Sequence, residues 1–141
     1  MSAPDDPSIL DGDALNRRVL HRAEHFLVFD EKLDRWTPGN AALRFDEHLS
    51  VYLESELRKR GLSSQDVREG ASVVFATEAE TVRGAEFGVL PDPDLDGSTL
   101  GPAHGSVCKD PEWSDDEFRQ RRNRIRREFR LVAGEISLRR A

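Results

Sequence analysis

Four histidines, one cysteine and an uneven set of arginines are the residues that could exchange protons, hold a metal or grip an anion. Imidazole titrates near neutral pH and also ligates metals. His21 and His25 are four apart; on a helix they share a face and, with a third ligand, could hold Zn²⁺. On a strand they lie roughly 13 Å apart, too far for one ion. His48 stands two residues before Ser50, and Arg44 four before His48. If Ser50 caps a helix, free N–H groups beside Arg44 and His48 make an anion site. The plainer alternative is that Ser50 only caps and His48 is a turn residue. His104, in PAHG, follows a long loop and precedes Gly105, which permits close backbone approach. It reads as a general base or anion contact, or as a histidine satisfied by a backbone carbonyl. Cys108 is a small buried hydrophobe unless a base activates it. One grouping follows: Arg22 and Arg44 bind a ligand, and His104, Ser50 and His48 are the catalytic candidates. No metal site and no cofactor are expected. Asp92, Asp94 and Asp96 alternate, but the distant glutamate of a calcium loop is missing.

The chain offers no P-loop, dinucleotide fingerprint, CxxC pair, HExxH or nucleophile elbow. Its 141 residues are one domain's worth, 37% hydrophobic and 34% charged. No apolar run approaches the roughly 20 residues a spanning helix needs, so no membrane is expected. The acidic start has no apolar h-region, and Cys108 has no partner for a disulfide. Both point to a reducing cytoplasm. Residues 1–108 hold 11 basic and 20 acidic residues, a net of −9, whereas 109–141 hold 10 and 7, a net of +3. An acidic body repels duplex phosphates, which disfavours nucleic acid. The basic excess lies in an arginine run from Arg119 to Arg130. It could pair with the acidic body or grip an acidic partner through Arg119, Arg122, Arg126 and Arg130.

These side chains need elements to place them. Residues 1–12, with Pro4, Pro7, Asp5, Asp6 and Asp11, read as a disordered acidic tail. Propensity leaves 14–25 open between helix and strand. Pro38-Gly39-Asn40 is turn chemistry. Leu49, Leu53 and Leu57 fall at helical spacing behind Ser50, and Gly61 is the stop, giving a helix over about 50–60. SVVFA at 72–76 reads as a buried strand. Thr77 and Glu80 have capping-box form for a short helix to Arg83, with strands at 85–90 and 103–109 around the loop 91–102. Ser114 to Glu117 is a second capping box. Phe118, Ile125, Phe129, Val132 and Ile136 continue it as a stripe, giving a long C-terminal helix over about 115–133. The fold class expected is α+β: a single domain over 13–141, helices packed on about three to five mixed or antiparallel strands.

Short segments carry two resemblances. TPGNAALRF (37–45), LSVY (49–52), GVLPDP (88–93) and PAHGSV (102–107) resemble a loosely defined group of small bacterial proteins. These have a serine-and-alanine-rich turn, an "LSVY"-type helix start and a Pro-Ala-His strand. The likeness covers 18–108 and departs at Gly39-Asn40, where serine is expected, and at Leu43, where an aromatic is. It implies a compact bacterial domain, one component of a multi-gene system, and places Arg44, Ser50 and His104 in the segments to test. RWTPG (35–39) is similar to the Arg-Trp-x-Pro-x-Gly stretch of RES-domain toxins, which consume NAD. Here the Pro–Gly gap is one residue short, and Arg44 or Phe45 stands where tyrosine is expected.

Two functions remain. One is a cytosolic binding protein that meets an acidic protein partner, or self-associates, through the C-terminal helix. The other is a small enzyme or ligand-binding domain for a nucleotide-like or phosphate-bearing molecule, through an Arg/Ser/His pocket.

Overall fold

Alternation decides the segment that propensity left open. Leu15 and Val19 are buried two positions either side of Arg17, and 14–20 is a strand, β1 (Ala14–Leu20). The structure, a computed structural model, describes residues 2–20 and 26–136. Its strands are β1, β2 (Leu27–Asp30), β3 (Arg35–Pro38), β4 (His48–Leu53), β5 (Ser72–Glu78), β6 (Gly88–Pro91), β7 (His104–Cys108) and β8 (Arg130–Ala133). The helices are short: α1 (Glu54–Lys59), α2 (Ser64–Val67), α3 (Ala79–Gly84) and α4 (Asp115–Arg126). Six strands form one antiparallel sheet in the order β6-β7-β4-β1-β5-β8, and β2-β3 is a separate hairpin. No helix of the described residues is long and apolar enough to cross a membrane.

This overturns the expected fold class in two places. The 50–60 helix is β4 running straight into α1. His48, Ser50 and Tyr52 alternate with fully buried or nearly buried Leu49, Val51 and Leu53, which is period two. The leucines at 49, 53 and 57 satisfy a period of four as well, so the apolar stripe alone was ambiguous. Ser50 is therefore an exposed strand position and caps nothing, and the LSVY segment is no helix start. The long C-terminal helix is also absent. Ser114 does cap α4, its hydroxyl accepting the Glu117 N–H at 3.1 Å, but the helix ends at Arg126. Phe129 then buries completely, and the chain returns as β8 on the open edge of β5, with a register shift at Val74/Phe75. The sheet thereby holds six strands rather than three to five, and the protein is richer in sheet than expected.

One sheet face buries Leu15, Val51, Val73 and Phe75 against Val82 of α3, Ile125 of α4 and Phe129. The other buries Val74 and Ala133 under Leu57 of α1 and Val67 of α2. The segment expected as a disordered tail lies against the domain instead. Asp6 N–H donates to the Val89 carbonyl at 2.8 Å, and the Asp5 carboxylate accepts the Val89 N–H at 2.9 Å. This covers the edge of β6, where unpaired backbone groups would otherwise be exposed. Arg83 binds Asp5 (3.1 Å), Asp11 (2.8 Å) and the Asp6 carbonyl (2.9 Å). Asp13 caps α1 from a distance, its carboxylate accepting the Ser55 N–H (2.9 Å) and hydroxyl (2.6 Å). The expected Thr77 box is replaced by the Asp13 and Asp11 carbonyls, which accept the Ala79 and Glu80 N–H groups at 2.9 Å.

A Cβ at Gly88 would sit 1.8 Å from the Pro4 carbonyl oxygen. Gly88→Ala should expel the N-terminal segment, and Arg83→Ala should release it at a cost of about 2–3 kcal/mol, the loss of charged hydrogen bonds. Limited proteolysis and urea unfolding check both; parent-like resistance in both variants contradicts the clamp.

The β2–β3 turn carries a pH signature. The N–H of Leu33, and with it that of Lys32, donates to the Asp30 carboxylate at 3.0 Å. Those bonds, with Arg127 and Arg126 nearby, hold the carboxyl below its ordinary value against some burial. A depressed folded pKa contributes stability that is complete above the unfolded value of about 3.9 and is lost as pH falls through the folded one. Asp30→Asn should flatten the acid limb of the melting-temperature profile below about pH 4.

Candidate functional site

A concavity in the sheet arises from an incomplete ladder. β1 pairs with β5 along its whole length, from Ala14↔Glu78 to Leu20↔Ser72. With β4 it pairs at Leu15↔Leu53 and Asn16↔Tyr52, and beyond that the two strands part. β4 stays with β7 up to His48↔Cys108. The wedge between them is bridged by Arg17, whose Nε donates to the Ala42 carbonyl and whose Nη1 donates to that of Ser50, both at 3.0 Å. The loop carrying Ala42 is set by the expected turn. Gly39 N–H donates to the Phe26 carbonyl, Ala42 N–H donates back to Gly39, and Leu43 is fully buried.

The result is a cleft of about 850 Å³ lined by Arg17, Arg18, Phe26, Arg44, Ser50 and Tyr52, with the 69–71 turn. Its arginines differ in state. Arg18 is committed: Nε donates to the Val67 carbonyl (2.6 Å), Nη1 pairs with Glu69 (2.8 Å), and the guanidinium lies 5.7 Å from the Tyr52 ring. Arg44 is 77% exposed and pairs with Asp46 at 3.0 Å. Among the described residues Arg17 has no carboxylate within ion-pair distance, and its Nη2 makes no hydrogen bond to them. Burial pushes its pKa down, with the charge of Arg18 adding to this and Tyr52 and Asp46 opposing it. A partly desolvated cation on a cleft wall is stabilised by any anion that reaches it.

The expected site residues are thus partly brought together. Arg44 and Ser50 line the cleft. His48 is exposed on the same strand, its Nε2 4.0 Å from Glu47, and does not line it. His104 is the cross-strand neighbour of Tyr52, its ring edge-to-face at 5.7 Å. Nδ1 lies 2.8 Å from the Asp92 carbonyl oxygen, so Nδ1 carries the proton of the neutral ring. The Asp92 carboxylate accepts the Ser106 hydroxyl at 2.9 Å and lies 3.8 Å from His104. The serine thus gives its proton to the acid rather than to the imidazole, which is not the order of a nucleophilic triad. Gly105 is needed, since a Cβ there would meet the Leu53 side chain at 3.0 Å. Arg22, His21 and His25 lie outside the described residues. Among those described, no group of three His, Cys, Asp or Glu converges on a metal position.

Sequence reasoning missed Arg17, Arg18 and Tyr52. The available signal was a charge at an apolar position: Arg17 interrupts the Leu15–Val19 alternation, which makes it conspicuous once 14–20 is read as a strand. The basic candidates near the C-terminus are dispersed. Arg119 bonds Asp116, Arg126 donates to the Thr37 hydroxyl at 2.9 Å, Arg122 stacks on Phe118, and Arg130 is exposed on β8 rather than on a helix. Comparison of the chain with family models, with curated proteins and with solved structures found no match in any of the three.

Cys108 is buried, and burial pushes its thiol up, with Asp92 and Asp5 adding to the shift. Reaction with a thiol reagent at pH 8 should be at least about tenfold slower in the native protein than in urea. Equal rates would mean the thiol is accessible and activated.

Proposed function

We propose that this chain is a binding domain for a phosphate-bearing small molecule of the nucleotide class, held in the β1/β4 cleft. The observation that carries the reading is Arg17, a guanidinium that lines the cleft with Nη2 unspent and no carboxylate within ion-pair distance among the described residues. A phosphate accepts the remaining donors. Arg44 can swing from Asp46 to a second anionic oxygen, and Ser50 offers a hydroxyl on the opposite wall. Tyr52 and Phe26 give apolar surface for a planar body. Binding is favoured over turnover because His104 is spent on Asp92 and Tyr52, and Cys108 is buried. A buried free thiol suits a reducing compartment.

Thermal-shift titration with inorganic phosphate, pyrophosphate, AMP, ATP and NAD tests the reading. A ligand at about 100 times its Kd stabilises by about 2.7 kcal/mol. Arg44→Gln should leave the ligand-free melting temperature unchanged and weaken binding about three- to tenfold. Arg17→Lys keeps the charge but loses the fork, and should weaken it further. No shift from any of the five, or equal shifts in both variants, overturns the reading.

A further inference from the structure

The arginines of α4 differ in how their charge is met. Arg121 pairs with Glu86 and Glu117, both at 3.0 Å, donates to the Ala85 carbonyl and lies 4.8 Å from the Trp113 ring, and Arg124 on the same side reaches the Gly84 carbonyl at 3.5 Å. Arg119 is tied to Asp116 in the first turn, and Arg127 lies 3.7 Å from Asp30 beyond the last. Arg122 and Arg126, one turn apart, meet no carboxylate within ion-pair distance among the described residues, and neither does Lys109. Neutral groups hold them instead. The Arg122 guanidinium and the Lys109 ammonium lie 5.1 and 4.8 Å from the same Phe118 ring, and Arg126 Nη1 donates to Thr37. Arg122 Nε is buried without a hydrogen-bond partner. So is Arg35 Nη1, two residues before Thr37 on β3. Burial pushes Arg122 and Arg126 below the ordinary arginine value, Arg119 and Arg127 adding like charge, while Asp30 opposes this at Arg126.

We infer that the Lys109–Arg122–Arg126 face of α4 is a docking surface for an acidic peptide segment of a partner protein. The three cations are oriented but not neutralised, so an incoming carboxylate gains attraction without first breaking an ion pair. Spacing favours an extended peptide: Arg122 and Arg126 are roughly 6 Å apart along the helix axis, close to the roughly 6.6 Å between alternate side chains of an extended chain. Phe118, with Phe45 at 5.1 Å, supplies apolar surface between the charges. Asp115, Asp116 and Glu117 bound the strip in the first turn of α4 and, with the acidic body, repel a longer polyanion. Lys109, Phe118, Arg122 and Arg126 are not among the residues that line the β1/β4 cleft.

The test is fluorescence anisotropy of the full chain with a fluorescein-labelled decapeptide of alternating glutamate and serine around one central leucine. Arg122→Gln with Arg126→Gln should weaken binding about tenfold or more, and Lys109→Gln about threefold. Arg124→Gln, on the other side of α4, and Arg44→Gln, in the cleft, should leave it unchanged. If the double variant does not fold by circular dichroism, each single glutamine variant carries the same reading at about threefold. Equal affinity of parent and variants, equal binding of the glutamine-for-glutamate decapeptide, or tighter binding of a ten-residue oligothymidylate overturns the inference.

Discussion

Arg17 is the side chain on which the sheet's middle depends. Where β1 and β4 part, backbone hydrogen bonds can no longer join the two halves, and a guanidinium crosses the gap to hold the Ser50 and Ala42 carbonyls. The bond to Ala42 is partly buried and that to Ser50 is exposed, so the first carries more of the stabilisation. One group therefore does two tasks. It closes the sheet mechanically, and it leaves an uncompensated positive charge on the wall it closes. Lysine, a point donor, could not span both carbonyls in this fork geometry.

The charge asymmetry of the sequence is partly consumed inside the molecule. Arg83 gathers the acidic N-terminal segment, Arg121 takes Glu86 and Glu117, and Arg127 approaches Asp30. These contacts tie the N-terminal segment to α3, α4 to the turn after α3, and the β2–β3 hairpin to the end of α4. Among the described residues Arg17 in the cleft and the Lys109–Arg122–Arg126 strip on α4 meet no carboxylate within ion-pair distance while being partly buried; exposed Arg68, Arg124 and Arg130 also meet none. A partly buried cation of this kind is a better guide to binding than the net charge of the run.

The sequence was legible where one period ruled out the others. β5 was read from SVVFA, β7 from the segment after the Pro/Gly-rich loop, and the start of α4 from Ser114. It misled where two periods coincide. Leu49 and Leu53 fit a strand and a helix equally, and only the alternation through Val51 separates them. Phe129 continues the helical stripe but stands just before β8, a switch decided by the open edge of β5 more than 50 residues away. Of the β2–β3 hairpin only the turn at its end, Pro38-Gly39-Asn40, was read. Arg44 and Ser50 were found because arginine and serine invite an anion hypothesis. Arg17 was not, because its importance lies in a strand pairing that fails. His104 was legible as a histidine held by a backbone carbonyl, which was the plainer of its two readings.

The strand order has a consequence for how the chain is made. β1 sits between β4 and β5, so an N-terminal strand waits for partners encoded far downstream. The 33 residues from Leu20 to Leu53 take roughly 2–7 s to synthesise at ordinary elongation rates. Until β4 is made an apolar, arginine-bearing ribbon has no ladder to join; its other side waits for β5, and β8 arrives later still to seal the far edge. Nascent chains of this topology thus pass through a period in which transient guardians of unpaired strands, rather than the protein's own core, protect them from their neighbours.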